Sequence, residues 1–150
     1  MNPGTALLPF VASALVACGQ AQTQPLTSLP PTPEAPAGWV SLASVGSNNG
    51  VGFTGIRVEA SGRPLALHVD CTGSGTLIVT FGRASASGPT PSAGQDAAAF
   101  PCSPGGGAPM RHEIAADLGS GEILVSGGVV PGVGELAPSS FMVSLEEAAS

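Results

Sequence analysis

Hydrophobic and polar residues alternate in short runs along the chain after residue 39, and turn residues separate the runs. The clearest run, LALHVDC at 65–71, divides between two faces of an extended chain: Leu65, Leu67, Val69 and Cys71 on one, and Ala66, His68 and Asp70 on the other. The next run, TLIVTF at 76–81, places Leu77, Val79 and Phe81 on one face. A period of two residues predicts β-strands with one face turned toward a core.

Five further runs have the same character, at 39–45, 51–60, 110–118, 122–127 and 139–147. For 110–118, the Ala and Glu content also permits a helical turn. Asn49-Gly50 lies between the first two runs and is a typical hairpin turn. The stretch 82–109 is rich in Ser, Ala, Gly and Pro, and we expect it to form a long surface loop. About six or seven short strands at this spacing predict an all-β fold, either an antiparallel β-sandwich or a small barrel.

The composition agrees with short strands and many turns. The 150 residues, enough for one domain, include 22 Gly and 15 Pro, and only 9 % of them are charged, against about 25 % in ordinary soluble domains. Aromatic residues are scarce, so the core must consist mainly of aliphatic side chains. The formal net charge is −6, with four arginines and no lysine, which excludes nucleic acid as a partner because phosphate binding requires clustered cations.

The first residues indicate export. Residues 5–17 form an uncharged apolar run of 13, too short to span a bilayer and typical of the core of a signal peptide. At the end of this run, Leu15-Val16-Ala17-Cys18 resembles the lipobox of bacterial lipoproteins. The resemblance implies cleavage after residue 17, a diacylglyceryl group on the Cys18 thiol and an acylated new N-terminus. A competing cut after Ala21 would remove Cys18 and release a soluble secreted or periplasmic protein.

Once Cys18 is assigned to a lipid or to the leader, two cysteines remain. In an oxidising compartment Cys71 and Cys102 are expected to form a disulfide. The separation of 31 residues gives a loop-entropy stabilisation of roughly 3.5–4 kcal/mol.

Residues 18–38 include five prolines and show no hydrophobic periodicity, and we interpret them as a disordered tether with a reach of roughly 60 Å. The domain then covers 39–150. The segment CTGSGTLIV at 71–79, with Pro101-Cys102 downstream, is similar to small bacterial lipoproteins of uncharacterised function. That resemblance implies one compact β domain behind a Pro-rich tether.

Candidate chemistry is sparse. His68, Asp70, His112 and Glu113 would supply nitrogen and oxygen ligands for a divalent metal such as Zn²⁺ if their strands were neighbours. Their spacing matches no recognised metal motif, and solvated polar residues are the alternative. A G-x-S-x-G nucleophile motif is missing from the sequence. Glu146 and Glu147 are interpreted as a solvated strand end.

Trp39, the one tryptophan, would have to be exposed beside a groove to bind carbohydrate, and otherwise it packs in the core or on the tether. The sequence therefore predicts an exported, lipid-anchored protein of the bacterial cell envelope. Its β domain would be non-enzymatic, would need no cofactor and would have a structural role or bind an envelope protein or glycan. The alternative is a small periplasmic or extracellular metal-binding or hydrolytic protein that uses His68, Asp70, His112 and Glu113.

Overall fold

The computed structural model describes residues 29–48, 52–85, 91–114, 118–132 and 140–150. The predicted signal peptide and Cys18 lie outside these residues. Eight β-strands run through the described part of the chain: β1 (Trp39–Ser47), β2 (Gly52–Ser61), β3 (Leu65–Thr72), β4 (Thr76–Ala84), β5 (Pro91–Pro101), β6 (Met110–Ile114), β7 (Ser120–Val130) and β8 (Ser140–Ala148). These residues contain no helix that could cross a bilayer.

The strands form two antiparallel sheets of four. Sheet A has the order β1-β8-β3-β6, and sheet B has the order β2-β7-β4-β5. The sheets share one hydrophobic core and do not close into a barrel. The all-β, antiparallel prediction is therefore confirmed, and of its two architectures the chain adopts the one with two separate sheets.

The predicted strand count was too low because of β5. This strand, Pro91–Pro101, lies within the stretch that we expected to be a long loop at 82–109, and it pairs with β4 from Thr76 to Ala84. Ala98 and Phe100 point into the core, but Ala97 and Ala99 on the other face are also small and apolar, so the hydrophobic contrast between the two faces is weak. This segment is a strand because it pairs with β4, and the local sequence pattern carries no information about that pairing.

The core consists of the inner faces of both sheets. The two predicted inner faces are confirmed, since Leu65, Leu67, Val69 and Cys71 of β3 and Leu77, Val79 and Phe81 of β4 all belong to the buried cluster. Sheet A adds Phe141, Val143 and Leu145 from β8, and sheet B adds Ile123 and Val125 from β7. Burial of each such side chain contributes about 1.5–3 kcal/mol.

The disulfide joins the two sheets. Cys71 at the end of β3 is bonded to Cys102, which follows β5, with a Cα–Cα distance of 4.7 Å. The backbone around the bond is also paired, because Ser103 N donates to Cys71 O at 3.2 Å and Cys102 N donates to Gly75 O at 2.9 Å. The predicted pairing of these two cysteines is confirmed.

The two ends of the sheets differ in what they carry. We call one the disulfide end, defined by the disulfide, the turn at 73–75 and the connection at 103–109. At this end Gly75 has a φ of +99°, and a Cβ there would lie 2.5 Å from Val130 O, so the turn requires glycine. The opposite end, with Trp39, the turn at 62–64 and the C-terminus, is called the Trp39 end.

Residues 29–38, which we call the strap, lie against the outer face of sheet A. A Cβ on Gly46 would lie 3.1 Å from Leu29 Cδ2 and 2.8 Å from Met142 Cε, so Leu29 packs near the disulfide end. At the other end of the strap, Gly38 O accepts a hydrogen bond from Ala149 N at 2.8 Å. Pro30 and Pro33 between these points are buried. Part of the segment that we interpreted as a tether therefore packs on the domain.

Candidate functional site

Four strands of sheet A bring polar side chains together on its outer face. In the strand register His68 on β3 lies between Arg111 on β6 and Ser144 on β8, and Glu146 lies two residues beyond Ser144. Because alternate residues of a strand share a face, these side chains all point away from the core. We call Trp39, His68, Arg111, Glu113 and Glu146 the Glu146 cluster.

Glu146 is the centre of this cluster. Its Oε1 lies 2.9 Å from His68 Nδ1, and its Oε2 accepts a hydrogen bond from Arg111 Nε at 3.4 Å. Arg111 NH1 also donates to Glu113 Oε1 at 3.0 Å. On its other side the guanidinium carbon of Arg111 lies 4.0 Å from the centre of the Trp39 ring, which is a cation–π contact.

The solvent exposure of the side chains in the cluster increases from the sheet outward. The Glu146 side chain has no exposed surface, the His68 side chain is 15 % exposed and that of Arg111 is 25 % exposed. A carboxylate without water is costly unless charged or polar partners satisfy it, and Arg111 and His68 supply those partners. Glu113, at 74 % exposure, balances the arginine from the solvent side.

A histidine oriented by a buried carboxylate is also part of a hydrolytic triad, so the neighbouring serine matters. Ser144, directly opposite His68, has no exposed surface. Its hydroxyl accepts a hydrogen bond from Ser44 Oγ at 3.1 Å and lies 2.8 Å from Ser41 Oγ. These contacts engage Ser144 in the pairing of β8 with β1, beneath the surface that a substrate would reach.

The structure separates the four residues of the alternative metal or hydrolytic hypothesis. His68, Asp70 and Glu113 lie on the outer face of sheet A, whereas His112 pairs with Leu67 and lies on the inner side. There its ring is 6.4 Å from the Phe81 ring and 6.3 Å from the Phe100 ring. Within the described ranges no group of three or more His, Cys, Asp or Glu side chains is arranged to hold a metal ion.

The expected solvated strand end at Glu146 and Glu147 was wrong. Both side chains are buried, with relative exposures of 0 % and 3 %. Glu147 accepts a hydrogen bond from Ser61 N at 2.6 Å and lies 3.4 Å from Arg63 NH2. Sequence position near the C-terminus suggested exposure, but β8 is a central strand of sheet A, with neighbours on both sides.

The outer face of sheet B carries a second candidate site, an open groove of about 600 Å³. Its described lining has no charged side chain and includes Phe53, Thr54, Ile78, Thr80, Ser126 and Val130. Thr80 Oγ1 and Ser126 Oγ lie 2.8 Å apart and satisfy each other. Val130 at the rim is 56 % exposed. The described lining of the groove forms a weakly polar surface and contains no titratable side chain.

Trp39 belongs to the Glu146 cluster. It is partly buried, and Arg111 occupies one face of its ring, the kind of face that a carbohydrate site would use.

Comparison of the chain with protein-family models, with curated proteins and with solved structures gave no match.

Proposed function

We propose that this chain is an exported, lipid-anchored protein of the bacterial cell envelope that displays a non-enzymatic β domain with a structural or binding role. One observation carries the proposal. The fold pairs Cys71 with Cys102, so Cys18, which ends the lipobox-like sequence, is the cysteine left without a disulfide partner within the chain. An exported protein with an odd cysteine needs such an explanation, and lipidation is one.

The disulfide supports the same compartment. It closes a separation of 31 residues and ties the two sheets together, and such bonds persist in oxidising surroundings. The two acyl chains of a diacylglyceryl group provide the two anchoring signals that stable membrane attachment requires.

The form of the Glu146 cluster supports a structural role for its residues. Glu146 is enclosed, Arg111 is held between Glu113 and Trp39, and Ser144 is bonded to β1. The Glu146 contacts link β8 to β3 and β6, the Trp39 contact links β1 to β6, and the Ser144 contacts link β8 to β1. Within the described residues the charged groups of the cluster pair with one another, and Arg111 Nη2 is buried without a hydrogen-bond partner.

Mass spectrometry of the protein taken from membranes of a bacterial host tests the proposal. We expect a chain that begins at Cys18, carries acyl mass, has two hydrogens fewer than the reduced form and holds no stoichiometric metal. The matched control is Cys18→Ser, which should remain in the soluble fraction with its Cys71–Cys102 disulfide intact. A native chain that begins at Gln22 would disprove lipidation, and a bound metal at one equivalent would favour the hypothesis built on His68, Asp70, His112 and Glu113.

A further inference from the structure

Each sheet ends in two edge strands, and β5 at the edge of sheet B has a long stretch of regular backbone with little charge. Of the other edge strands, β6 spans only five residues, β2 carries Arg57 and Glu59, and the register of β1 shifts between Ser41 and Ala43. Short length, charge and bulges are common means of preventing strand addition at an edge. By contrast, β5 spans 11 residues, and Asp96 is the one charged residue in its sequence.

The pairing of β5 with β4 determines which backbone groups face the open edge. In an antiparallel pair, every second residue directs its N–H and C=O to the neighbouring strand, and the residues between direct theirs away. Cys102 N donates to Gly75 O at 2.9 Å, and the register with β4 is regular from residue 101 back to residue 96. Ala97 and Ala99 therefore direct their N–H and C=O groups to the outer edge, and both residues are exposed. Pro101, which has no N–H, occupies the next position of this kind, as expected for proline in an edge strand.

Asp96 already occupies one of these outward groups. Its Oδ1 accepts a hydrogen bond from Ala97 N at 2.8 Å. Asp96 shares a strand face with Ala98 and Phe100, which point into the core, but Asp96 itself is exposed at the rim of the domain. A charged residue on the inward side of an edge strand is one of the features that prevent strand addition.

We propose that the edge of β5 fits β5 of a second copy of this chain, and that Asp96 prevents this pairing by bonding Ala97 N. The choice of partner follows from the edge itself. When Ala97 of one copy lies opposite Ala99 of the other in an antiparallel pair, the N–H of each meets the C=O of the other, so the edge is self-complementary. The inference does not depend on the proposed anchor at Cys18.

The hydrogen bond of Asp96, and not its charge, limits this pairing. In the same register Ala98 lies opposite Ala98 of the second copy, and the two Asp96 residues lie on opposite sides of that central pair, about 14 Å apart along the strands. This distance exceeds the screening length of about 8 Å in physiological salt. Ala97 N, however, must leave a carboxylate before it can pair with the second copy, and a hydrogen bond to a charged group is stronger than one to a carbonyl.

Sedimentation equilibrium of the full chain with Cys18→Ser tests the inference, because no lipid or detergent then contributes to the mass. We expect the chain with Asp96 to be monomeric at micromolar concentrations. Asp96→Ala should form a dimer, with a dissociation constant lower by about tenfold or more, because neither copy then gives up a charge-assisted hydrogen bond. Asp96→Asn is the matched control and should stay monomeric, since its amide oxygen can accept the same bond from Ala97 N.

A second variant and a local measurement identify the interface. Ala99→Pro added to Asp96→Ala removes an outward N–H without removing a bond to β4, and it should restore the monomer. In the Asp96→Ala dimer, hydrogen exchange at the amides of Ala97 and Ala99 should slow as the protein concentration rises. Circular dichroism and an intact Cys71–Cys102 disulfide verify that each variant is folded.

Several results would overturn the inference. If folded Asp96→Ala remains monomeric, the β5 edge does not fit a second copy. A dimer whose Ala97 and Ala99 amides exchange at the monomer rate would place the contact elsewhere. Equal dimerisation of Asp96→Asn and Asp96→Ala, or of the chain with Asp96 and Asp96→Ala, would show that the bond to Ala97 N does not control the pairing.

Discussion

The outer face of each sheet carries an arginine–glutamate pair, but the pair on sheet A is largely buried and the pair on sheet B is exposed. On sheet A, Arg111 pairs with a glutamate that has no exposed surface, and the strap and Trp39 lie on this face. On sheet B, Arg57 pairs with Glu122 at 2.5 Å, with side-chain exposures of 44 % and 37 %. Strand alternation places both arginines on the outward face. Whether the charge is buried or solvent-exposed depends on the segments that pack over the strand.

This difference has energetic consequences. An exposed ion pair contributes about 0–1 kcal/mol because water solvates the separated charges well. A buried carboxylate that loses its partner costs several kcal/mol because nothing replaces that solvation. The Glu146 cluster should therefore respond strongly to single substitutions, and the pair on sheet B should respond weakly.

The largest expected effect comes from Arg111→Ala, which leaves Glu146 enclosed with His68 as its remaining partner. We expect the free energy of unfolding to fall by about 3–5 kcal/mol, measured by urea denaturation followed by circular dichroism. The double variant Arg111→Met with Glu146→Leu removes both charges, and it should lose less than the single variant. A loss below about 1 kcal/mol for Arg111→Ala would mean that Glu146 is solvated like an exposed pair.

Removal of the disulfide should have a similar effect. In the Cys71→Ala, Cys102→Ala double variant we expect the free energy of unfolding to fall by roughly 3.5–4 kcal/mol, because the unfolded chain regains the freedom of the closed loop. Calorimetry with and without reductant provides the measurement. Since the bond joins sheet A to sheet B, a variant that unfolds in two separate transitions would show that the sheets are independent units. Cys18→Ser should leave the transition unchanged.

A smaller effect is expected from Trp39→Ala, which removes the ring that covers Arg111. Loss of the cation–π contact alone should cost about 0.5–2 kcal/mol, and Trp39→Phe should recover part of it. A double-mutant cycle with Arg111→Ala isolates this contact, and we expect a coupling energy of at least about 0.5 kcal/mol. Additive effects would show that Trp39 and Arg111 stabilise the domain separately.

The smallest effect belongs to sheet B. Arg57→Ala should lower the free energy of unfolding by less than about 1 kcal/mol, and its cost should shrink further in 1 M salt because the screening length falls to about 3 Å. Arg111→Ala measured in the same salt should retain most of its cost. Equal salt sensitivity of the two variants would remove the distinction between the two outer faces.

Much of the fold was predictable from local patterns. The alternation at 65–71 and 76–81 correctly placed the inner residues of β3 and β4, and cysteine counting identified the disulfide. The loop expected at 82–109 was wrong because the alanines of β5 give little contrast between faces. The Glu146 cluster was missed because its members come from four strands, 35 residues or more apart for Arg111, His68 and Glu146.

By itself, the sequence determined the β-strand character, the inner faces of β3 and β4 and the cysteine pairing, because strand periodicity and covalent chemistry are properties of the chain. It also carries the lipobox resemblance on which the proposed anchor rests. The tertiary structure decided that Glu146 is buried, that His68 and His112 lie on opposite sides of sheet A, and that residues 29–38 pack on the domain. Burial depends on what covers a strand, and the covering segments come from distant parts of the chain.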